Sequence, residues 1–181
     1  MNIVYFDLET RRSKNDVEGW DNAGKMGISI AVTYSTLRGT YEIYEEHEAE
    51  RLADELIKAD LVVGFNILDF DYEVLMAHTL HDLRYVVRSL DLILDISEAA
   101  GFRPGLDAVA QATLGVSKTG HGMDAVRWFR EGRLKEIAEY CCYDVKVTRL
   151  VHEYGARNKE LFVKDRNGHK HRIEVGWTLL I

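Results

Sequence analysis

Residues 2–10, Asn2-Ile3-Val4-Tyr5-Phe6-Asp7-Leu8-Glu9-Thr10, alternate in the manner of a strand and place two acids two positions apart. Successive strand side chains point to opposite faces, so Asp7 and Glu9 project together from its C-terminal end. Residues 27–34 are rich in β-branched side chains and predict a second strand. Arg38-Gly39 signals a turn, and residues 40–45 alternate as a third strand, so the three form an antiparallel meander. The period then changes. Leu52, Ala53, Leu56 and Ile57 recur at helical spacing, with Lys58 late, where the helix dipole favours a cation. Residues 60–66 form a short, almost wholly apolar strand of the kind buried on both faces. Residues 69–79 read as a helix, residues 90–93 as a further strand, and a helix runs on through Ala99 and Ala100. After the break at residues 101–105, Pro104 is placed to start a helix over 106–114. A loop over 115–122 precedes a short amphipathic helix at 124–130 and the longest helix, about 133–157. Residues 161–164 and 171–175 flank Asn167-Gly168, a strong hairpin signal. This order predicts an α/β fold, a mixed five-stranded sheet of three antiparallel strands plus parallel strands, flanked by helices. Residues 1–158 are expected to form one domain and residues 159–181 a C-terminal hairpin appended to it.

Composition narrows the class. A chain of 181 residues with 46% apolar and 29% charged positions suits one soluble globular domain. With no apolar run of membrane-spanning length and no signal-like N-terminus, a cytoplasmic protein without a membrane partner is expected. Cys141 and Cys142 are adjacent within a helical pattern, which excludes a structural disulfide between them and suits packing in a reducing compartment. A formal net charge of −7 argues against nonspecific coating of nucleic acid. It does not argue against an enzyme whose site needs carboxylates and only a local basic groove.

Two side-by-side carboxylates repel each other unless a cation lies between them or one keeps its proton. A lone Asp-x-Glu also fits a solvent-facing strand end, so further acids decide. Residues 66–71 read Asn66-Ile67-Leu68-Asp69-Phe70-Asp71; Asp69 fits a capping or exposed position, and Asp71 has the functional reading. On the longest helix, Leu134, Ile137, Cys141, Val145 and Thr148 trace one face, and Tyr140 and Asp144 fall beside it, one turn apart. An acid at the edge of a buried face needs compensation. A Tyr-to-Asp hydrogen bond or an arginine partner would provide it as well as a cation would.

Together these motifs resemble the DEDD superfamily of 3′-to-5′ exonucleases, tyrosine subclass, which have the ribonuclease H-like fold. Asp7-Leu8-Glu9 matches the first motif, Asn66 to Asp71 the second and Tyr140-Cys141-Cys142-Tyr143-Asp144 the third. The spelling of residues 64–71 is similar to the exonuclease domain of family B DNA polymerases; the resemblance covers residues 1 to about 155. It implies a metal-dependent hydrolase acting on the 3′ end of nucleic acid, with single-stranded DNA preferred over RNA and a role such as DNA repair. It implies two divalent cations, Mg²⁺ or Mn²⁺, which take oxygen ligands. Asp7 would bridge both, Glu9 and Asp144 would complete one, and Asp71 would hold the other. Tyr140 would orient the attacking water. Thr10, Asn66, Phe70, Lys118 and His121 are candidate substrate contacts. His78 and His81 share a helix face but lack the further ligands of a zinc site. Asp91 reads as structural, and Trp128 and Phe129 as helix core. Two other readings stay open: a noncatalytic nucleic-acid-binding or scaffolding module, and an endonuclease on the same fold. A protein partner is also left open.

Overall fold

A computed structural model describes residues 1–116 and 122–179, with Gly122 and Met123 described by backbone alone. Strands β1 (Ile3–Thr10), β2 (Ile28–Ser35) and β3 (Thr40–Tyr44) precede helix α1 (Ala49–Lys58) and strand β4 (Leu61–Gly64). Next come helices α2 (Tyr72–Met76) and α3 (Leu83–Val86), strand β5 (Ser89–Asp91), and helices α4 (Leu92–Ala100), α5 (Leu106–Leu114), α6 (Gly122–Arg130) and α7 (Leu134–Asn158). Strands β6 (Glu160–Lys164) and β7 (Lys170–Glu174) close the chain as a hairpin.

The main sheet has the order β3-β2-β1-β4-β5. Its β3, β2 and β1 run antiparallel, whereas β4 and β5 are parallel to β1. This is the mixed five-stranded sheet expected. Helices cover both faces, so β1, at the centre, is buried on two sides. Val4, Phe6 and Leu8 enter one core with Leu52, Leu56, Tyr72 and Leu75, from α1 and α2. Ile3 and Tyr5 enter the other core with Val109, Ile137, Val145 and Val151, from α5 and α7. The alternation at the start of β1 therefore sorts side chains between two cores. Asp7 and Glu9 continue the face that α7 covers.

Two boundaries differ from expectation. Residues 90–93 do not form one strand: β5 ends at Asp91 and Leu92 begins α4. Asp91 accepts the Ile93 N–H at 3.4 Å and caps that helix, so its carboxylate turns the apolar run from strand to helix. The helix expected over 69–79 is a wide π-type turn, Ile67–Asp71, followed by the short α2. The chain beyond α2 is captured by Glu50, which accepts from Thr79 Oγ1 at 2.9 Å and Leu80 N–H at 3.1 Å. The polar segment 11–25 contains a short 3₁₀ turn, Trp20–Lys25.

The hairpin shares the larger core. Leu161, Val163, Ile173, Val175 and Trp177 are all buried in it. Thr113 pins β6 to α5, its hydroxyl donating to the Phe162 carbonyl at 2.8 Å and accepting the Phe162 N–H at 3.0 Å. Among the described residues, no helix is long and apolar enough to cross a membrane.

Candidate metal centre

The acids meet because three local features aim them. Asp7 and Glu9 lie on the α7-facing side of β1, and the β1–β2 register shifts between Glu9 and Thr10. Such an irregularity re-aims side chains at the end of a pair. On α7, Tyr140, Cys141 and Asp144 occupy the buried stripe; Tyr140 is 7% and Asp144 6% exposed. One carboxylate oxygen from each of Asp7, Glu9 and Asp144 lies within 4.8 Å of the others. Among the described residues, no other group of three such donors comes as close.

Asp71 arrives from the other core. It is 2% exposed, and its Oδ1 accepts the Leu8 N–H at 3.0 Å, on the residue between Asp7 and Glu9. Burial, and then the charge of Asp7, push its carboxyl well above the usual carboxylate range; the Leu8 N–H pulls back. The turn that delivers it depends on Gly64, where a Cβ would sit 2.2 Å from Ile67 Cγ2 and 3.0 Å from the Phe6 carbonyl. Asn66 follows in the left-handed region, at φ 72°. Its N–H donates to Asp91 Oδ1 at 2.6 Å, and the Leu68 N–H donates to Asp91 Oδ2 at 3.0 Å.

Burial, followed by Asp144, Glu9 and Asp7, pushes the Tyr140 phenol far above its ordinary value. It stays a neutral donor. Trp128 meets its ring edge-on at 6.0 Å, which makes Trp128 a wall of the site as well as a packing residue. Burial and the neighbouring Asp7 likewise keep the Cys141 thiol protonated.

Two clefts adjoin residues of the first two motifs, and Glu9 lines the first of them. One, about 480 Å³, is lined by Glu9, Thr10, Arg12, Lys14, Trp20 and Phe70. The other, about 430 Å³, is lined by Trp20, Asn66, Asp69, Phe70 and Arg103. Trp20 and Phe70 form the wall between them, edge to face at 5.7 Å, and the indole is 60% exposed. Thr10, Asn66 and Phe70 thus all reach the clefts. The side chain of Asn66 accepts from Arg103, and Thr10 donates to the Arg12 carbonyl at 2.9 Å. Lys118 and His121 lie outside the described residues. Asp69 is exposed, as expected of a capping or surface acid. Arg11 is held by Glu46 at 2.7 Å, its guanidinium 5.2 Å from the Phe129 ring centroid, and Arg12 donates to the Lys25 carbonyl at 2.7 Å. His78 faces Glu46 at 3.5 Å.

The reading of the sequence missed Trp20, Arg103 and the reach of Asp91 into the second motif. The buried acid inside Leu90-Asp91-Leu92 was a signal for the last. Trp20 and Arg103 offered none, because distant segments bring them to the clefts.

A family model of the RNase H superfamily matches residues 4–155. The chain belongs to that superfamily. No curated protein matches this RNase H superfamily chain. Among solved structures it is similar to the zinc-bound form of the E. coli ExoI–ssDNA complex, at 13% identity and a TM-score of 0.50. The match covers 87% of this chain and 41% of ExoI, so the chain spans less than half of that protein. At such identity the likeness concerns the fold.

The donor set fits a hard divalent cation. It consists of carboxylate oxygens from two elements, partly shielded from water, and such oxygens suit Mg²⁺ and Mn²⁺.

Proposed function

We propose that this chain is a 3′-to-5′ exonuclease of the DEDD type, tyrosine subclass, acting on single-stranded nucleic acid with DNA preferred. The observation that carries the reading is the convergence of Asp7, Glu9 and Asp144 within 4.8 Å, with Asp71 tied to the strand between the first two. A likeness to the exonuclease domains of family B DNA polymerases, stated on residues 64–71, belongs to the same reading.

Asp7, Glu9, Asp71 and Asp144 would hold two divalent cations, Mg²⁺ or Mn²⁺. Bound there, the cations supply charge neutralisation at a phosphodiester and a lowered pKa for water. The chain's own residues do the rest. Tyr140, kept protonated by burial and by the carboxylates of Asp144, Glu9, Asp7 and Asp107, would hydrogen-bond the attacking water and orient it. The Trp20–Phe70 wall gives bases a π-face to stack on, a contact that tolerates any sequence and requires an unpaired strand. Arg12 and Lys14, in the cleft beside Glu9, offer cations to backbone phosphates. Lys118 and His121 would be further substrate contacts.

The test is product analysis on 5′-labelled DNA and RNA single strands with Mg²⁺ or Mn²⁺. A ladder shortening from the 3′ end is expected from the wild type and none from Asp7→Ala or Asp144→Ala. Digestion by both variants at the wild-type rate would sink the assignment. Cleavage of a circular single strand would replace exonuclease with endonuclease.

A further inference from the structure

We infer that Cys141 is a positioning residue for this centre: its thiol grips Asp7 and sets the approach of Asp7 to Asp144. The inference rests on the metal-centre reading above. Cys141 Sγ lies 3.3 Å from the carbonyl oxygen of Asp7 and 3.3 Å from its Oδ2. A thiol carries one proton, so it donates to one of these at a time, and both belong to the same residue. Backbone and carboxylate of Asp7 are therefore held by one buried group, which is 0% exposed.

The position on α7 gives this contact its consequence. Residues 141 and 144 are three apart and share a helix face. One helical turn supplies both the thiol that holds Asp7 and the carboxylate that faces it. A shift of α7 along β1 would break the first contact and open the second. Asp71 is steadied in a comparable way by the Leu8 N–H, so one acid from each core has its own donor. Outer partners of ligand carboxylates and histidines typically govern affinity 10–100-fold, and a weak S–H donor belongs near the low end. The competing role is space-filling, since buried free cysteines often act as small hydrophobes.

The two roles separate by substitution. Mn²⁺ is titrated calorimetrically into the wild type, Cys141→Ala, Cys141→Val and Cys141→Ser, with thermal melts run alongside. Alanine and valine remove the donor at smaller and larger volume, whereas serine keeps a donor with shorter reach. Loss of roughly tenfold in Mn²⁺ affinity is expected for the alanine and valine variants, with partial recovery by serine. That recovery should not follow melting temperature. Mn²⁺ affinities within about twofold of wild type in the alanine and valine variants would overturn the inference and leave the centre intact. A wild type that binds no Mn²⁺ would instead overturn the metal-centre reading, and this inference with it. Strong Cd²⁺ binding by the wild type that vanishes in Cys141→Ala would make the thiol a ligand, also contrary to the inference.

Discussion

Asp91 receives three backbone N–H groups, those of Asn66 at 2.6 Å, Leu68 at 3.0 Å and Ile93 at 3.4 Å. Burial pushes its carboxyl up, and these donors pull it back. It ties the second motif to the start of α4, so a residue expected to be structural supports the turn that carries Asp71. His152 is a second buried polar residue, with no role at the site. Its ring is 0% exposed and meets the Tyr5 hydroxyl through Nδ1 at 2.9 Å. Burial holds its pKa at about 4, against an ordinary value of about 6.5. Between those values the unfolded chain takes up a proton that the folded chain refuses. Stability present above pH 6.5 is therefore lost as pH falls toward 4, by about 3 kcal/mol for this group. Urea denaturation at several pH values should show that loss in the wild type and a flatter dependence in His152→Phe. Equal slopes would refute it. At this scale the placement of Asp7 and Glu9 on one strand face and of Asp144 beside a buried helix face was legible, because strands repeat every two residues and helices every 3.6, and their choice as site candidates came from the motif resemblance. The Cys141–Asp7 contact was not, because it joins residues 134 apart.

The element that decides the site is the passage from β4 through the Ile67–Asp71 turn into α2. It folds back tightly enough that Gly64 has no room for a side chain. Gly64→Ala should cost about 1–3 kcal/mol, as overpacking of a filled core does, and should slow strand cleavage by displacing Asp71. Gly105→Ala is the control, since nothing lies within 4 Å of a Cβ built there. Chemical denaturation and a cleavage assay together check this; unchanged stability in Gly64→Ala would contradict it. The longest helix and the Leu106–Leu114 helix were readable almost to the residue, because each carries sustained apolar spacing and a break before it. The strand at 90–93 and the helix at 69–79 were misjudged for one reason. Asp91 accepts the Ile93 N–H in the first, Glu50 accepts from the Thr79 hydroxyl and the Leu80 N–H at the end of the second, and such side-chain captures leave no period in the sequence.

The whole molecule is a sheet between two cores, with the C-terminal hairpin built into one of them. Gly155 on α7 admits the Trp177 ring so closely that a Cβ would lie 2.7 Å from it, and the indole N–H donates to Asp95 at 2.6 Å. Removing residues 159–181 would expose the packing surface of Leu161, Val163, Ile173, Val175 and Trp177. Each such side chain contributes about 1.5–3 kcal/mol by burial, so the sum rivals the whole stability of a domain. The truncated chain should lose its cooperative thermal transition in calorimetry. A truncated chain melting like the full one would show the hairpin to be dispensable. The amino-acid sequence by itself determined most of the elements and the mixed character of the sheet, because these are written in local periodicity and turn signals, and it named the four acids with Tyr140 as candidates through a motif resemblance. Tertiary structure alone decided that the acids meet, that Trp20 and Phe70 divide two clefts, and that Cys141 touches Asp7. Those contacts depend on how β1 is sandwiched between α7 and the β4–α2 turn, and no local pattern encodes a packing between such distant segments.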